Sequence, residues 1–394
     1  MSKYSLIILS VFFNFCIISH AQNTENKHIS NRLIIDNNFY LGKILKNYPI
    51  FPKNNFSTFY ELNIAKQTDG SKEWHKYYNY SVVGCAIIFG DLGNNKVLGQ
   101  NISIVPNIVF INKKLSNWHC ETKIGIGVAY FNKKYNRISN SENLLIGSSF
   151  TNITNLSCGI LYDISDHLSI KAAASVFHFS DGHYQLPNVG LNIFLFNFNV
   201  KYFPFSKPQI ISSISKVNYK NKIHFNLRTG FGIHEFGFAT KPIGGAKYPV
   251  YLSTIYLSKR FNYKNNVHLG LFVNYYTGFN DYIISKELFD GKNSHLKSMV
   301  VSVFLGHEFV IGRFGIVAQC GFNIYNPFVK QYYKLVNNDG FNAKLKIYNS
   351  NKLGFQYYIF KNTDITRNNL YLGVYIKSNS GQADVIECSL GYSF

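Results

Sequence analysis

After its first eighteen residues the chain has no apolar run that could carry a helix across a bilayer, which takes about 20 residues. Membrane helices are thereby excluded for the body of the chain. Methionine is nearly missing, with 2 residues in 394, and good helix formers are sparse, so a helical bundle is not expected. Paired cysteine spacing is missing too. Cys16 falls in a leader, and Cys85, Cys120, Cys158, Cys320 and Cys388 form an odd set with no disulfide framework and no zinc pattern, which reads as small apolar filler. The dipeptide His234-Glu235 lacks the second His of a zinc-binding helix, so no metal is expected, and no motif asks for a cofactor. Acidic residues are scarce, 20 against 40 basic, for a net charge of +20. The lysines are scattered through turns with no basic helix or RNA-type motif, so nucleic acid is not an expected partner; contact with anionic lipid phosphates, or a compositional bias of the genome, accounts for them equally well.

What is present begins with an address label. Lys3 precedes an apolar run from Leu6 to Ile18, and Ser19-His20-Ala21 is a small-x-small site for cleavage before Gln22. Residues 1–21 are therefore expected to be a signal peptide, and the mature chain to leave the cytoplasm. Lipidation at Cys16 does not fit, because Phe13-Asn14-Phe15 has no small residue next to the Cys.

The body of the chain is rich in aromatics, with 29 Tyr and 35 Phe, and is cut by Asn, Gly and Lys turns, a composition that reads as all-β. In VHLGLFVNY (267–275), Val267, Leu269, Leu271, Val273 and Tyr275 share one face, and only Phe272 breaks the polar pattern of the other. Period two over this length is a strand with one apolar face. At the C-terminus Leu390, Tyr392 and Phe394 alternate with Ser389, Gly391 and Ser393. Such an ending resembles that of bacterial outer-membrane barrels, which implies the barrel assembly machinery as a partner and the outer membrane of a Gram-negative bacterium as the destination. Segments of membrane-strand length are expected at 36–46, 56–68, 80–91, 102–112, 118–131, 147–163, 167–180 and 188–205, then at 219–233, 249–262, 264–279, 295–310, 312–326, 342–360, 369–379 and 382–394. An even count, sixteen here, places both termini in the periplasm.

The stretch from Pro204 to Lys222 divides these strands eight and eight. The two halves end in strand pairs of similar texture, which favours duplication of an eight-stranded unit. The expected architecture is a transmembrane antiparallel β-barrel with halves at 22–205 and 206–394. One closed sixteen-stranded barrel is preferred over two in tandem, since a single closure already removes the edges.

Within HFSDGHYQLPNVGLN (178–192), parity singles out three polar residues. Leu168, Ile170, Ala172, Ala174 and Val176 lie on one face, and His178 and Ser180 continue it; beyond the turn Asn192 shares a face with Phe194, Phe196, Phe198 and Val200. All three are expected on the lipid-facing side at the outer end of their strands, where a polar group costs less than at mid-bilayer.

These residues resemble the outer-membrane lipid A 3-O-deacylases of the PagL type. That family carries a His-x-Ser-Asn run on one strand, a Pro-Asn turn, and a carboxylate early on the next strand; the matching residues are His178, Phe179, Ser180 and Asp181, then Pro187, Asn188, Gly190 and Asn192. The segment KQTDGSKEWHKYYNY followed by FGDLGN is similar to the longer version found in Bacteroidetes-type bacteria, and the likeness spans residues 36 to 205; the short members of the family have no counterpart of the second half. The resemblance implies a serine esterase acting on lipid A of lipopolysaccharide in the outer-membrane lipid. His178 would be the base, Ser180 the nucleophile, Asn192 would stand where the family has its carboxylate, and backbone N–H groups near Asp181 and Gly182 would hold the oxyanion. Asp181 stands where the family has Asn. Glu387, in the corresponding place of the second half, has lumen-facing parity and does not fit the acid role.

Residue by residue, other readings remain open: His178 as an interfacial His, Ser180 as an ordinary strand Ser, Pro187, Asn188 and Gly190 as turn chemistry, His183 and Tyr184 as plain loop residues. For the whole chain the alternatives are a porin-like or structural barrel with a decayed motif, and a phospholipid acyl hydrolase or acyltransferase using the same pair.

Overall fold

The computed structural model describes residues 32–46, 51–205, 222–237, 243–360, 368–379 and 382–394. The expected signal peptide, and residues 206–221 of the connection between the halves, lie outside them.

Sixteen antiparallel strands form. The first eight are β1 (Leu33–Ile44), β2 (Ser57–Gln67), β3 (Val82–Asp91), β4 (Gln100–Leu115), β5 (Trp118–Phe131), β6 (Phe150–Asp163), β7 (Leu168–Ser180) and β8 (Leu191–Tyr202). The second eight are β9 (Ile223–Glu235), β10 (Lys247–Arg260), β11 (Asn265–Tyr276), β12 (Met299–Ile311), β13 (Phe314–Tyr325), β14 (Asn349–Tyr358), β15 (Asn369–Asn379) and β16 (Gln382–Ser393). Each set closes on itself. β1 pairs with β8, from Ile35 opposite Tyr202 to Ile44 opposite Ile193, and β9 pairs with β16, from Ile233 opposite Ile386 to Asn226 opposite Ser393.

The single sixteen-stranded barrel preferred from the sequence is therefore replaced by two eight-stranded barrels. Edge removal did not discriminate between the two, because pairing the first and last strand within each half removes every edge as completely. What discriminates is the inward row, whose side chains meet across an eight-stranded lumen, the size that side chains can fill. In the first barrel, buried Glu61 accepts hydrogen bonds from Asn38 and Tyr40, both at 2.9 Å, and pairs with Lys123. Glu121 bridges Lys201 (2.7 Å) and Lys171 (3.3 Å). In the second barrel, Glu308 takes Asn266 and Gln356 at 2.7 Å, and Glu387 takes Lys352 at 2.7 Å and Arg228 at 3.2 Å. The outward rows are apolar, with Phe39, Ile64, Phe89, Ile104, Phe196, Leu269 and Leu305 exposed, as a lipid-facing wall requires. Cys85, Cys158, Cys320 and Cys388 are free and exposed.

Short helices interrupt both halves: α1 (Glu73–Tyr77) belongs to the first barrel, and α2 (Thr277–Ser285), α3 (Ser294–Lys297), α4 (Pro327–Leu335) and α5 (Phe341–Tyr348) to the second. The strand expected over 342–360 begins only at Asn349. Phe341, Ala343, Leu345 and Ile347 do alternate, but the β13–β14 ladder ends at Phe322 opposite Asn349. Beyond it β13 runs on to Tyr325, yet residues 341–348 satisfy their backbone donors within a helix, with the Asn323 amide donating to the Ile347 carbonyl (2.9 Å). The expected strand ends at 277–279 and 295–297 are likewise helical.

Loops 51–56, 92–99, 132–149, 181–190, 277–298 and 326–348 gather at one end; at the other lie the turns 116–117, 164–167, 261–264 and 312–313 together with one longer segment, 68–81. By the rule that periplasmic turns are short, the loop end is the outer one. The barrels also touch at the turn end, where Tyr78 donates to the Val310 carbonyl (2.6 Å) and Tyr263 to Glu73 (2.6 Å).

Replacing Glu121 by Ala would take from buried Lys171 and Lys201 the carboxylate that both bind directly. We expect a loss of about 3–5 kcal/mol, read as a lower thermal unfolding midpoint of the protein in detergent micelles.

Candidate active site

The outer end of β7 and the start of β8 carry the polar residues picked out by parity. His178 lies directly opposite Asn192 in the ladder, and both point outward, with the lumen row running through Ser175, Phe177 and Phe179. The imidazole Nδ1 is 2.8 Å from the Asn192 Oδ1. An amide oxygen only accepts, so this contact assigns the ring proton to Nδ1 and leaves a lone pair on Nε2.

Ser180 is the last residue of β7 and is only 5% exposed. Its Oγ accepts the Gly182 N–H (3.2 Å) and an Nδ2–H of Asn188 (3.1 Å), while its own N–H donates to Asn152 Oδ1 on β6 (3.1 Å). Two donors thus converge on the serine oxygen. Gly190 faces both members of the pair: a Cβ there would lie 3.6 Å from His178 Cε1 and 4.0 Å from Ser180 Cβ, and its φ of +76° suits glycine. The loop is tied to 132–149 by the Val189 and Gly190 N–H groups, which donate to the Leu144 and Leu145 carbonyls (3.2 and 3.3 Å). Pro187, after a cis peptide bond, sits deeper in this loop, its carbonyl against Gly147.

His178, Ser180, Asn192, Gly182, Asn188 and Gly190 are therefore brought together. Asp181 is adjacent, but its carboxyl turns into the loop, where Oδ1 accepts the His183 N–H at 3.1 Å. In the sequence Asn188 reads as turn chemistry, and Asn152 does not stand out. Asn188 had a signal in its motif position; Asn152 had none, being recruited across the ladder from another strand.

The chain matches two family models. "Lipid A 3-O-deacylase (PagL)" matches residues 58–201, and "Acyloxyacyl hydrolase, C-terminal domain" matches residues 221–394, so that the two together take in β2 to β8 of the first barrel and all of the second. The chain belongs to the PagL family. No curated protein matches it. Among solved structures, one titled as the outer membrane enzyme PagL is 18% identical, covering 42% of this chain and 97% of that one at a TM-score of 0.31. A porin of Rhodopseudomonas blastica is 9% identical, covering 92% and 99% at a TM-score of 0.17. At such scores neither likeness bears on the argument. Membership and the lipid-facing barrel walls together make this an outer-membrane barrel of a hydrolase family.

Where the PagL-type motif has Asn, burial pushes the Asp181 carboxyl up to about 7, the charge of Glu235 adding to the effect and the backbone N–H groups of His183, Gln185 and Tyr184 opposing it. The folded chain therefore holds a proton here that the unfolded chain has released, and stability contributed by this group falls as pH rises from the ordinary carboxylate range to about 7. Asp181→Asn keeps an acceptor for His183 and removes the titration. The difference in thermal midpoint between pH 5 and pH 8 should shrink in this variant, and its pH 8 midpoint should exceed that of the parent.

Proposed function

We propose that this protein is an outer-membrane serine esterase that removes the 3-O acyl chain of lipid A. The observation that carries the reading is the His178–Asn192 pair on the lipid-facing side, with Ser180 two residues further along the same row beneath two hydrogen-bond donors. Lipid A of lipopolysaccharide presents its acyl esters at this level of the outer leaflet.

His178, with its proton held on Nδ1, takes the Ser180 hydroxyl proton at Nε2 as Oγ attacks the ester carbonyl carbon. The oxyanion forms two bonds from Oγ, on the carbon that Oγ has attacked, next to the Gly182 N–H and the Asn188 amide, groups already oriented at the resting serine. Collapse expels the sugar hydroxyl, which takes the proton back from His178. Water then repeats the sequence on the acyl-serine, releasing the fatty acid. Asn192 fixes the tautomer of His178, as a triad carboxylate would, but supplies no charge to steady the imidazolium.

Mass spectrometry of lipid A from cells expressing the chain tests this reading. The parent should yield lipid A lacking one hydroxyacyl chain, and Ser180→Ala and His178→Ala should each leave lipid A intact. Unchanged lipid A in all three, with the barrels folded in the outer membrane, would overturn it.

Two further variants separate the roles. Asn192→Asp adds the missing negative charge and should raise kcat by roughly ten-fold. Asn188→Ala should lower kcat by about 100-fold with little change in KM, the cost of one oxyanion donor.

A further inference from the structure

The loop 181–190 is anchored to its own barrel mainly at its far end, through Val189 and Gly190. Its near part, which includes Gly182, is held from the second barrel. Glu235, the last residue of β9, is 1% exposed and continues the outward row of Ile233 toward the first barrel. Its Oε2 accepts the Leu186 N–H at 2.9 Å, and its Oε1 accepts the Gly245 N–H at 2.8 Å. Its own N–H donates to the His183 carbonyl at 3.2 Å. Around this bridge the His234 ring stacks on His183 (centroids 5.0 Å apart, planes 13° off parallel), and the Lys247 ammonium lies 3.5 Å over the Tyr184 ring. Ile386 of β16 closes on Gly182 so tightly that a Cβ there would lie 2.2 Å from its Cγ1. Burial and the neighbouring His234 lower the pKa of His183 to about 3, so the stacked imidazole is uncharged at neutral pH.

We infer that the second barrel is part of the esterase site, with Glu235 as a positioning residue that holds residues 182–186 so that the Gly182 and Asn188 donors stay over Ser180. This rests on the esterase reading above. Glu235 touches neither ester nor serine; its two carboxylate oxygens join the active-site loop to the loop that follows β9, so the donors inherit the rigidity of a second closed sheet. Misplacing a donor by about an ångström is enough to cost on the order of 100-fold in rate.

The test uses the full chain in detergent micelles or outer-membrane vesicles, with purified lipopolysaccharide as substrate. Glu235→Ala should lower kcat by ten-fold or more with KM within about two-fold. Glu235→Gln keeps an acceptor oxygen for Leu186 and should recover most of that loss, a rescue that follows from positioning rather than bulk. Amide hydrogen exchange, which needs no turnover, should speed up across 182–186 in Glu235→Ala, leaving 132–149 as in the parent. Parental exchange at 182–186 in Glu235→Ala would overturn the clamp itself. Faster exchange there with an unchanged kcat would overturn the positioning role. A parent that releases no acyl chain, combined with faster exchange in Glu235→Ala, would overturn the esterase reading while supporting the clamp.

Discussion

Closing a sheet at eight strands leaves a lumen with room for side chains and little else, so every long inward residue must find its partner across the barrel. Both halves meet this condition with carboxylates near the centre, Glu61 and Glu121 in one, Glu308 and Glu387 in the other, each surrounded by ammonium, guanidinium, amide or phenol donors. A buried charge is tolerated only when paired and hydrogen-bonded, and a closed backbone ladder holds those partners in register. With the lumens filled in this way, neither barrel has the wide water channel of a larger porin, and the outward face is left for contact with lipid.

Chemistry on such a molecule has few places to go. The candidate site sits where the outward row of β7 reaches the outer rim, with the polar groups satisfying one another. Asn192 accepts the Nδ1–H of His178, the Gly182 N–H and the Asn188 amide donate to the Ser180 Oγ, and Asn152 accepts the Ser180 N–H. Unpaired, these groups would lose their water against lipid; paired, they can stand beside it. The geometry that makes the groups affordable there is the same geometry that orients them.

The loops at the outer end extend this logic from one barrel to the other. Residues 181–190 lie between loop 132–149 of their own barrel and the rim of the second, and Glu235 uses both carboxylate oxygens at that junction. Among the described residues, the first barrel carries the His, Ser and Asn together. In the second barrel Glu387 lies mid-strand on β16, faces the lumen and is bound to Lys352 and Arg228.

Local sequence pattern determined the strands, their faces and the outward row of His178, Ser180 and Asn192, because a period of two is a property of the backbone and needs no knowledge of neighbours. It also brought out Gly190 and Asn188 as turn residues, though not the hydrogen bond that Asn188 makes. Tertiary structure alone decided whether sixteen strands close once or twice, since closure depends on which first and last strands pair, and both outcomes satisfy the same alternation. It alone decided that the alternating run Phe341–Tyr348 is helical, since alternation does not by itself fix which backbone partners are taken. And it alone placed Asn152 and Glu235 at the site, because their contacts join residues far apart in sequence, through pairings that no local period encodes.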